Sequence, residues 1–346
     1  MILPATYAGA LLLTILSMIC WGSWANAFKL AGNWRFEIFY YDYSVGVLLA
    51  SIVAAYTFGS LGPDVPFADN LTFAGKRNMA YALAAGTVFN LANMLLVAAI
   101  SVAGLAVAFP VGIGLALVVG VIWNYFLNPQ GNPLLLACGV ALVVAAIIAD
   151  GVAYTAHARM QTRDAKSAGG GTARGGAKGI FLSLASGLLM GSFYPLVEMS
   201  KRGGVDHGGL GPYAVAFLFS VAVFVSTFVF NLYFLRRPIE GRPLRFSTYF
   251  QGAGRQHALG ILGGLVWCIG AIANFAAASA PKSVQVGPAI SYALGQGATM
   301  ISALWGLLVW GEFHGASGGV KALLAIMLAM FLAGLVLVSI APLYAF

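Results

Sequence analysis

Two tryptophans near the start of the chain provide the first signal of a binding site. Trp21 and Trp24 are three residues apart, nearly one helical turn, and Asn26 follows within the same apolar run. Two indoles on one helix face can stack on a flat heterocycle or a sugar ring while an amide supplies hydrogen bonds. The alternative is that both tryptophans pack inside the protein or lie at a membrane interface.

Amide side chains recur in later apolar runs. Asn93 and Asn274 occupy matching places in the two halves of the chain, and Gln296 follows Tyr292 by four residues, so those two share a helix face. An unpaired amide is costly in a membrane interior, so each should face a partner helix or a wet cavity. Amides donate and accept hydrogen bonds, which suits a ring that offers both kinds of group. Hydrogen bonding between helices is the alternative for the two asparagines.

Two carboxyl groups are candidates for carrying a proton. Glu198 lies within an apolar run, one turn after Pro195, and Asp42 opens another run. Coupling transport to protons requires a carboxyl whose proton affinity changes as its surroundings change from dry to hydrated. The alternatives are that Glu198 extends to the membrane surface and that Asp42 caps its helix.

The composition excludes a water-soluble protein. Of the 346 residues, 60% are hydrophobic and 8% are charged, whereas soluble domains have roughly a quarter of their residues charged. The three cysteines lack metal-ligand spacing and the four histidines are scattered, so the sequence predicts no metal and no other cofactor. No hydrolase-like pattern is present, so an enzyme is not expected. The lysines and arginines that give the net charge of +8 lie in connecting segments, as they do in membrane proteins, which argues against nucleic acid as a partner.

Ten apolar stretches are long enough to cross a hydrocarbon core of about 30 Å. Helices are expected, because an open strand in lipid leaves its backbone groups unpaired. The sequence therefore predicts an all-α integral membrane protein with ten transmembrane helices. The predicted spans are 7–30, 41–60, 78–100, 102–127, 133–154, 178–200, 212–235, 257–280, 283–309 and 319–342.

The two halves of the chain resemble each other. Trp21-Gly22-Ser23-Trp24 in the first span is matched by Met190-Gly191-Ser192-Phe193 in the sixth. Five helices per half is an odd number, so the halves must cross the membrane in opposite directions, as the inverted repeats of secondary transporters do. The predicted units are a first five-helix repeat at 1–156, a basic glycine-rich linker at 157–177 and a second repeat at 178–346.

Lysine and arginine are distributed unequally between the two sides of the membrane. The loops after the first, fifth and seventh spans contain eleven of them, and the opposite loops contain five. Cytoplasmic loops are usually the richer in these residues. We therefore expect a multi-pass protein of the cell inner (plasma) membrane, with a cytoplasmic linker and both termini outside.

Five short motifs are spaced along nearly the whole chain. They are Gly22-Ser23-Trp24, Tyr41-Asp42-Tyr43, Tyr125-Phe126-Leu127-Asn128, Phe234-Leu235-Arg236-Arg237-Pro238, and Trp305-Gly306-Leu307-Leu308 followed by Gly311-Glu312. In order and spacing, they resemble the drug/metabolite transporter superfamily, and within it most of all the plant ureide permease family and its bacterial relatives. The chain is also similar to the glucose/ribose porter and rhamnose transporter families.

The resemblance implies proton-dependent uptake, by alternating access, of oxo derivatives of nitrogen heterocycles such as allantoin, uracil and other nucleobases. Gln296 stands where the ureide permease pattern has glutamine, and Asp42 belongs to a family motif. The expected partners are a small solute, protons and the lipid bilayer, and no particular oligomeric state is predicted. A sugar porter or a multidrug exporter of the same superfamily is the alternative.

Overall fold

The computed structural model describes residues 1–103, 105–166, 177–238 and 242–344, and this part of the chain is helical, without a strand. The all-α fold expected from the composition is therefore confirmed. The glycine-rich part of the predicted linker, 167–176, lies outside the described residues.

The helices are α1 (Tyr7–Ser23), α2 (Ala25–Leu30), α3 (Phe36–Tyr56), α4 (Phe67–Phe73), α5 (Lys76–Ala103), α6 (Leu105–Leu127), α7 (Pro133–Lys166), α8 (Ala177–Ser200), α9 (Pro212–Arg236), α10 (Gly254–Ala277), α11 (Pro288–Gly295), α12 (Ala298–Leu308) and α13 (Gly318–Ile340). Short 3₁₀ turns cover Val205–His207, Phe246–Gln251 and Ala341–Tyr344.

Eight segments of the described chain are long and apolar enough to cross a membrane, and they correspond to eight of the ten predicted spans. Of the other two, the span 102–127 corresponds to α6, whose part Val111–Leu127 is a shorter apolar helix. The span 283–309 divides into α11 and α12. Helix α7 also continues into the segment predicted as linker. The count of ten and the inverted repeat remain predictions.

Gln296 and Gly297 form a 3₁₀ turn between α11 and α12. The Gly297 N–H donates to the Leu294 carbonyl (2.9 Å) and the Met300 N–H donates to the Gly297 carbonyl (3.0 Å), three residues back instead of four. Glycine on both sides of Gln296 lowers the helix propensity here, by about 1 kcal/mol for each glycine. The chain therefore interrupts its helix where a continuous one was predicted.

The first and last described residues lie at one end of the bundle. The Met1 ammonium group donates to the Asp64 carbonyl at 3.0 Å, and the Asn132 N–H donates to the Ala341 carbonyl at 2.9 Å. We call this end the terminal end, and it includes the loops 57–66, 128–132, 201–211 and 278–287. The opposite end, called the linker end, includes the described loop residues 31–35, 242–253 and 309–317.

Helices α3 and α10 pack with their backbones in contact. A Cβ atom on Gly264 would overlap the Tyr43 carbonyl oxygen, and one on Gly46 would overlap the Ile261 carbonyl oxygen. Glycine permits this close approach, as it commonly does where helices meet in a membrane. The contact holds Trp267 of α10 beside Tyr43 of α3, with ring centroids 6.4 Å apart.

Gly264→Ala should destabilise the folded protein by about 1–3 kcal/mol, because the added methyl group overlaps a backbone oxygen. Thermal unfolding in detergent micelles measures the effect. Gly114→Ala is the matched control, since a Cβ atom there meets no heavy atom within 4 Å, and helix propensity predicts an equal or higher melting temperature. Equal melting temperatures for the two variants would contradict the backbone contact.

Candidate functional site

A cavity of about 180 Å³ lies in the middle of the bundle. Residues of α1, α2, α5, α6, α8, α10, α11 and α12 line it, with side chains from both halves of the chain. The predicted contact residues that line it are Trp21, Trp24, Asn93 and Gln296, and those that do not are Asn26, Asn274 and Tyr292.

Aromatic rings form much of the cavity wall. Trp21 stacks on Trp267, with ring centroids 6.0 Å and planes 15° apart, and Phe89 stacks on the same indole at 4.4 Å. Phe193 packs edge-on against Phe89 at 5.3 Å. Such a wall offers flat aromatic faces to a planar ligand.

Trp21 is held in place by two glycines and one hydrogen bond. A Cβ atom on Gly270 would lie 2.9 Å from Cδ1 of the indole, and one on Gly295 would lie 2.6 Å from Cζ3 at its other end. The indole Nε1–H donates to the Trp267 carbonyl at 3.2 Å. A side chain at either glycine would displace the ring, so these two positions determine the shape of one cavity wall.

Gln296 brings an available amide to the cavity. Within the described residues its side chain has no hydrogen-bond partner, although the residue is only 9% exposed. Asn93, by contrast, donates to the Tyr40 hydroxyl at 3.0 Å. Thr299 and Ser302 of α12 add hydroxyl groups to the lining. The Gln296 amide can therefore both donate to and accept from a ligand.

None of the described residues that line the cavity is charged. An ionised ligand would lose its hydration there without gaining an opposite charge, at a cost of several kcal/mol. The cavity therefore suits a neutral ligand.

A buried hydrogen-bond network centred on Asn274 closes the cavity toward the terminal end. The Asn274 side-chain oxygen accepts from the hydroxyls of Tyr194 (2.5 Å) and Ser291 (3.0 Å), and its nitrogen donates to the Ser17 hydroxyl (3.2 Å). Tyr292, also buried, donates to a backbone carbonyl of α8 at 3.1 Å. These bonds join α1, α8, α10 and α11, so Asn274 and Tyr292 hold helices together in this conformation.

The cavity opens toward the linker end. The exposed residues of its lining, Ala25 and Ser302, both lie on that side. Asn26 is beyond the opening, where its side-chain oxygen accepts from the Trp310 Nε1–H at 2.6 Å. Asn26 therefore connects α2 to the loop 309–317.

A polar cluster at the linker end consists of Lys29, Glu312 and Tyr154. Lys29 pairs with Glu312 and lies 4.4 Å from the Trp310 ring centroid, and the Tyr154 hydroxyl donates to Glu312 at 2.6 Å. Burial raises the pKa of Glu312, but the hydrogen bonds from Lys29 and Tyr154 and the lysine charge outweigh burial and lower the pKa below its ordinary 4.5. The cluster joins α2, α7 and the loop 309–317.

Asp42 lies in the second turn of α3 and is only 2% exposed. The Tyr249 hydroxyl donates to one carboxyl oxygen at 2.5 Å, and His257 Nδ1 lies 2.8 Å from the other. Burial and the adjacent Asp42 raise the pKa of Tyr249, so its hydroxyl remains a donor at neutral pH. This carboxyl therefore joins α3, α10 and the turn Phe246–Gln251 near the linker end.

Glu198, the other predicted proton carrier, lies near the terminal end of α8. It pairs with Lys201, and both side chains are 11% exposed. Lys201 also donates to the Ser279 hydroxyl at 3.2 Å. Neither Glu198 nor Asp42 is among the described residues that line the cavity.

Several lining residues were missed by sequence reasoning. Trp267 is a tryptophan far from either end of its span, which is the same signal that marked Trp21. Thr299 and Ser302 are hydroxyls three residues apart in an apolar run, a pattern that was also visible. Nothing in the sequence distinguishes Phe89 as a lining residue, because phenylalanine is frequent throughout the spans.

The lowered pKa of Glu312 predicts how stability depends on pH. The ionised pair contributes stability above the unfolded-state pKa of 4.5, and this contribution is lost as the pH falls through the lower folded-state value. Glu312→Gln should therefore lower the melting temperature slightly at neutral pH, with no difference from the unmodified chain in strong acid. Asp64→Asn, at an exposed carboxyl of the opposite end, is the control. A difference that persists unchanged in acid would contradict the ion pair.

Known proteins resemble this chain over nearly its whole length. The ureide permease family model matches residues 39–178 and 175–341. Ureide permease 1 of Arabidopsis thaliana is 26% identical over 94% of this chain and 94% of its own. Ureide permease 2 of the same plant is 27% identical over 96% of each chain. A solved crystal structure with 19% identity shares the fold, with a TM-score of 0.59 over 95% of this chain and 96% of that one.

The family match and the apolar helices agree on the class of protein. The match covers most of the chain, and the described part contains helices that can cross a membrane. The wider relationship to the drug/metabolite transporter superfamily remains a prediction. The chain therefore belongs to the ureide permease family, and it is a multi-pass membrane transporter, not an enzyme.

Proposed function

We propose that this protein transports a neutral, flat ureide or a nucleobase-like heterocycle, which binds in the central cavity. The observation that carries the proposal is an aromatic cavity around the available Gln296 amide, with no charge among its described lining residues. The names of its relatives, which are ureide permeases, support a ureide as the cargo.

The proposed binding mode combines stacking with paired hydrogen bonds. A cyclic ureide has amide N–H and carbonyl groups around a compact ring, so it can stack on Trp21 or Trp24 while it bonds to Gln296. When cargo binds, the Asn93 amide gives up its hydrogen bond to the Tyr40 hydroxyl and bonds to the cargo instead. A ring-opened ureide acid carries a carboxylate, for which the described lining supplies no cation, so the neutral ring is preferred.

Alternating access between the two ends is part of the proposal. The opening at the linker end and the Asn274 network at the other end support one of the two conformations that such a transporter needs. Two inverted repeats, 1–156 and 178–346, joined by the linker 157–177, would rock against each other. In this proposal the linker end faces the cytoplasm and both termini are outside the plasma membrane. Asn26, Asn274 and Tyr292 then remain predicted contacts for the opposite conformation.

The proposed coupling uses Asp42 together with His257. The carboxyl and the imidazole are 2.8 Å apart, close enough for a proton to pass directly between them. Asp42 is also next to Tyr43, whose ring lies 4.9 Å from that of Trp24, so a change at the pair can reach the cavity wall. Glu198, paired with Lys201, is the second candidate.

Uptake by purified protein in proteoliposomes tests the cargo. Labelled allantoin, uracil, xanthine, glucose and rhamnose are offered with and without an inward proton gradient. The expected result is accumulation of a heterocycle, increased by the gradient. Uptake of sugars alone would refute the proposed cargo. Heterocycle uptake that ignores the gradient would refute proton coupling only.

Gln296→Ala should weaken cargo affinity roughly tenfold, because one or two neutral hydrogen bonds of about 1 kcal/mol each are lost. The KM of uptake measures the change. Gln251→Ala, in the turn Phe246–Gln251, removes an exposed glutamine and should leave the KM unchanged. Equal KM values for both variants would move the binding site away from Gln296.

Asp42→Asn should abolish gradient-driven accumulation and retain exchange of labelled for unlabelled cargo. Asparagine keeps the shape of the side chain but cannot release a proton at neutral pH. Glu198→Gln is the parallel variant, and it should accumulate cargo normally. Loss of accumulation in Glu198→Gln alone would assign coupling to the terminal end instead.

A further inference from the structure

An apolar groove of about 670 Å³ follows α6 and α7 on the outside of the bundle. Ile122, Phe126 and Ile148 on its rim are exposed. Along α7 the groove extends from Pro133 to Ile148, which is about 22 Å at 1.5 Å per residue. Half of a hydrocarbon core of about 30 Å is shorter than this, so the groove covers the depth of one leaflet.

At the terminal end the groove adjoins a cleft of about 640 Å³ whose lining includes polar side chains. The groove and the cleft share Tyr125 and Pro133 in their linings, so they adjoin. The loops 128–132 and 278–287 and the C-terminal turn form the cleft, which includes Lys282 and Ser283. Lys282 is exposed and forms no ion pair with any residue that the structure describes. The cleft therefore has an available positive charge at the membrane surface.

We propose that the groove and the cleft together bind one anionic phospholipid. An acyl chain lies between α6 and α7, and the phosphate contacts Lys282 and the Ser283 hydroxyl. An apolar channel one leaflet deep that ends in a cationic cleft matches the two chemically different parts of a glycerophospholipid.

The lipid site is connected by the chain to the cavity. The loop 278–287 contributes Lys282 and Ser283 to the cleft and leads directly into α11, which ends beside Gln296. A lipid that holds this loop therefore also fixes the start of α11. The site lies outside the proposed cargo cavity, so its occupancy can be measured without cargo.

Native mass spectrometry of the purified full chain tests the headgroup contact. Phosphatidylglycerol is the anionic probe and phosphatidylcholine the zwitterionic one. One phosphatidylglycerol should be retained per chain, and Lys282→Gln should reduce the preference for it about fivefold, the effect of one lysine at an anionic surface. Lys76→Gln, an exposed lysine at the same end but outside the cleft, is the matched control and should keep the preference.

A second pair of variants tests the groove. Ala141→Trp fills the groove and should remove the retained lipid of either headgroup, whereas Val229→Trp, on the exposed side of α9, should retain it. Melting temperatures verify that each variant is folded. Unchanged lipid binding by Lys282→Gln and Ala141→Trp would overturn the proposal. A dimer of the unmodified chain that Ala141→Trp dissociates would also overturn it, because the groove would then hold a second copy.

Discussion

Hydrocarbon offers no hydrogen bonds, and this constraint distinguishes the roles of two amide side chains inside the bundle. Asn274 satisfies it completely, because Tyr194, Ser291 and Ser17 occupy both ends of its amide. Gln296 has no such partner among the described residues. Two side chains with the same functional group therefore differ in role because of their surroundings: Asn274 joins helices, and Gln296 is available to a ligand.

Close contacts at glycine give the cavity a rigid wall. The approach of α3 and α10 at Gly264 fixes Trp267, and two further glycines leave room for Trp21 on α1. Rings held in this way do not need to be ordered when a ligand arrives, so less conformational entropy is lost on binding. The glycines at these helix contacts therefore help to determine the shape of the cavity.

Much of the fold could be predicted because a long apolar run indicates a membrane-spanning helix without any knowledge of its tertiary contacts. The eight long spans followed from hydropathy alone, whereas the break at Gln296 depends on two neighbouring glycines inside a run that is otherwise apolar. Trp21 and Trp24 were found because tryptophan is conspicuous within a span. The partner of Asp42 could not be predicted, since His257 lies 215 positions away and meets it only when α3 and α10 pack. Sequence indicates that a polar group needs a partner, but tertiary packing determines which partner it finds.

The 3₁₀ turn at Gln296 and Gly297 has a mechanical consequence. Bonds that span three residues are less well aligned than those of an α-helix, so the chain bends here more easily than within α11 or α12. Tyr292 anchors α11 to α8, while α12 carries Ser302 at the mouth of the cavity. Helix α12 has an anchor of its own, because the Trp305 Nε1–H donates to the Ser23 hydroxyl at 2.8 Å. A bend at Gln296 therefore changes the angle between two helices that are each held to other parts of the bundle. In the proposed transport cycle, cargo that bonds to the Gln296 amide acts at the most easily bent point of this segment, whereas a solute that only stacks on the aromatic wall leaves the angle between α11 and α12 unchanged.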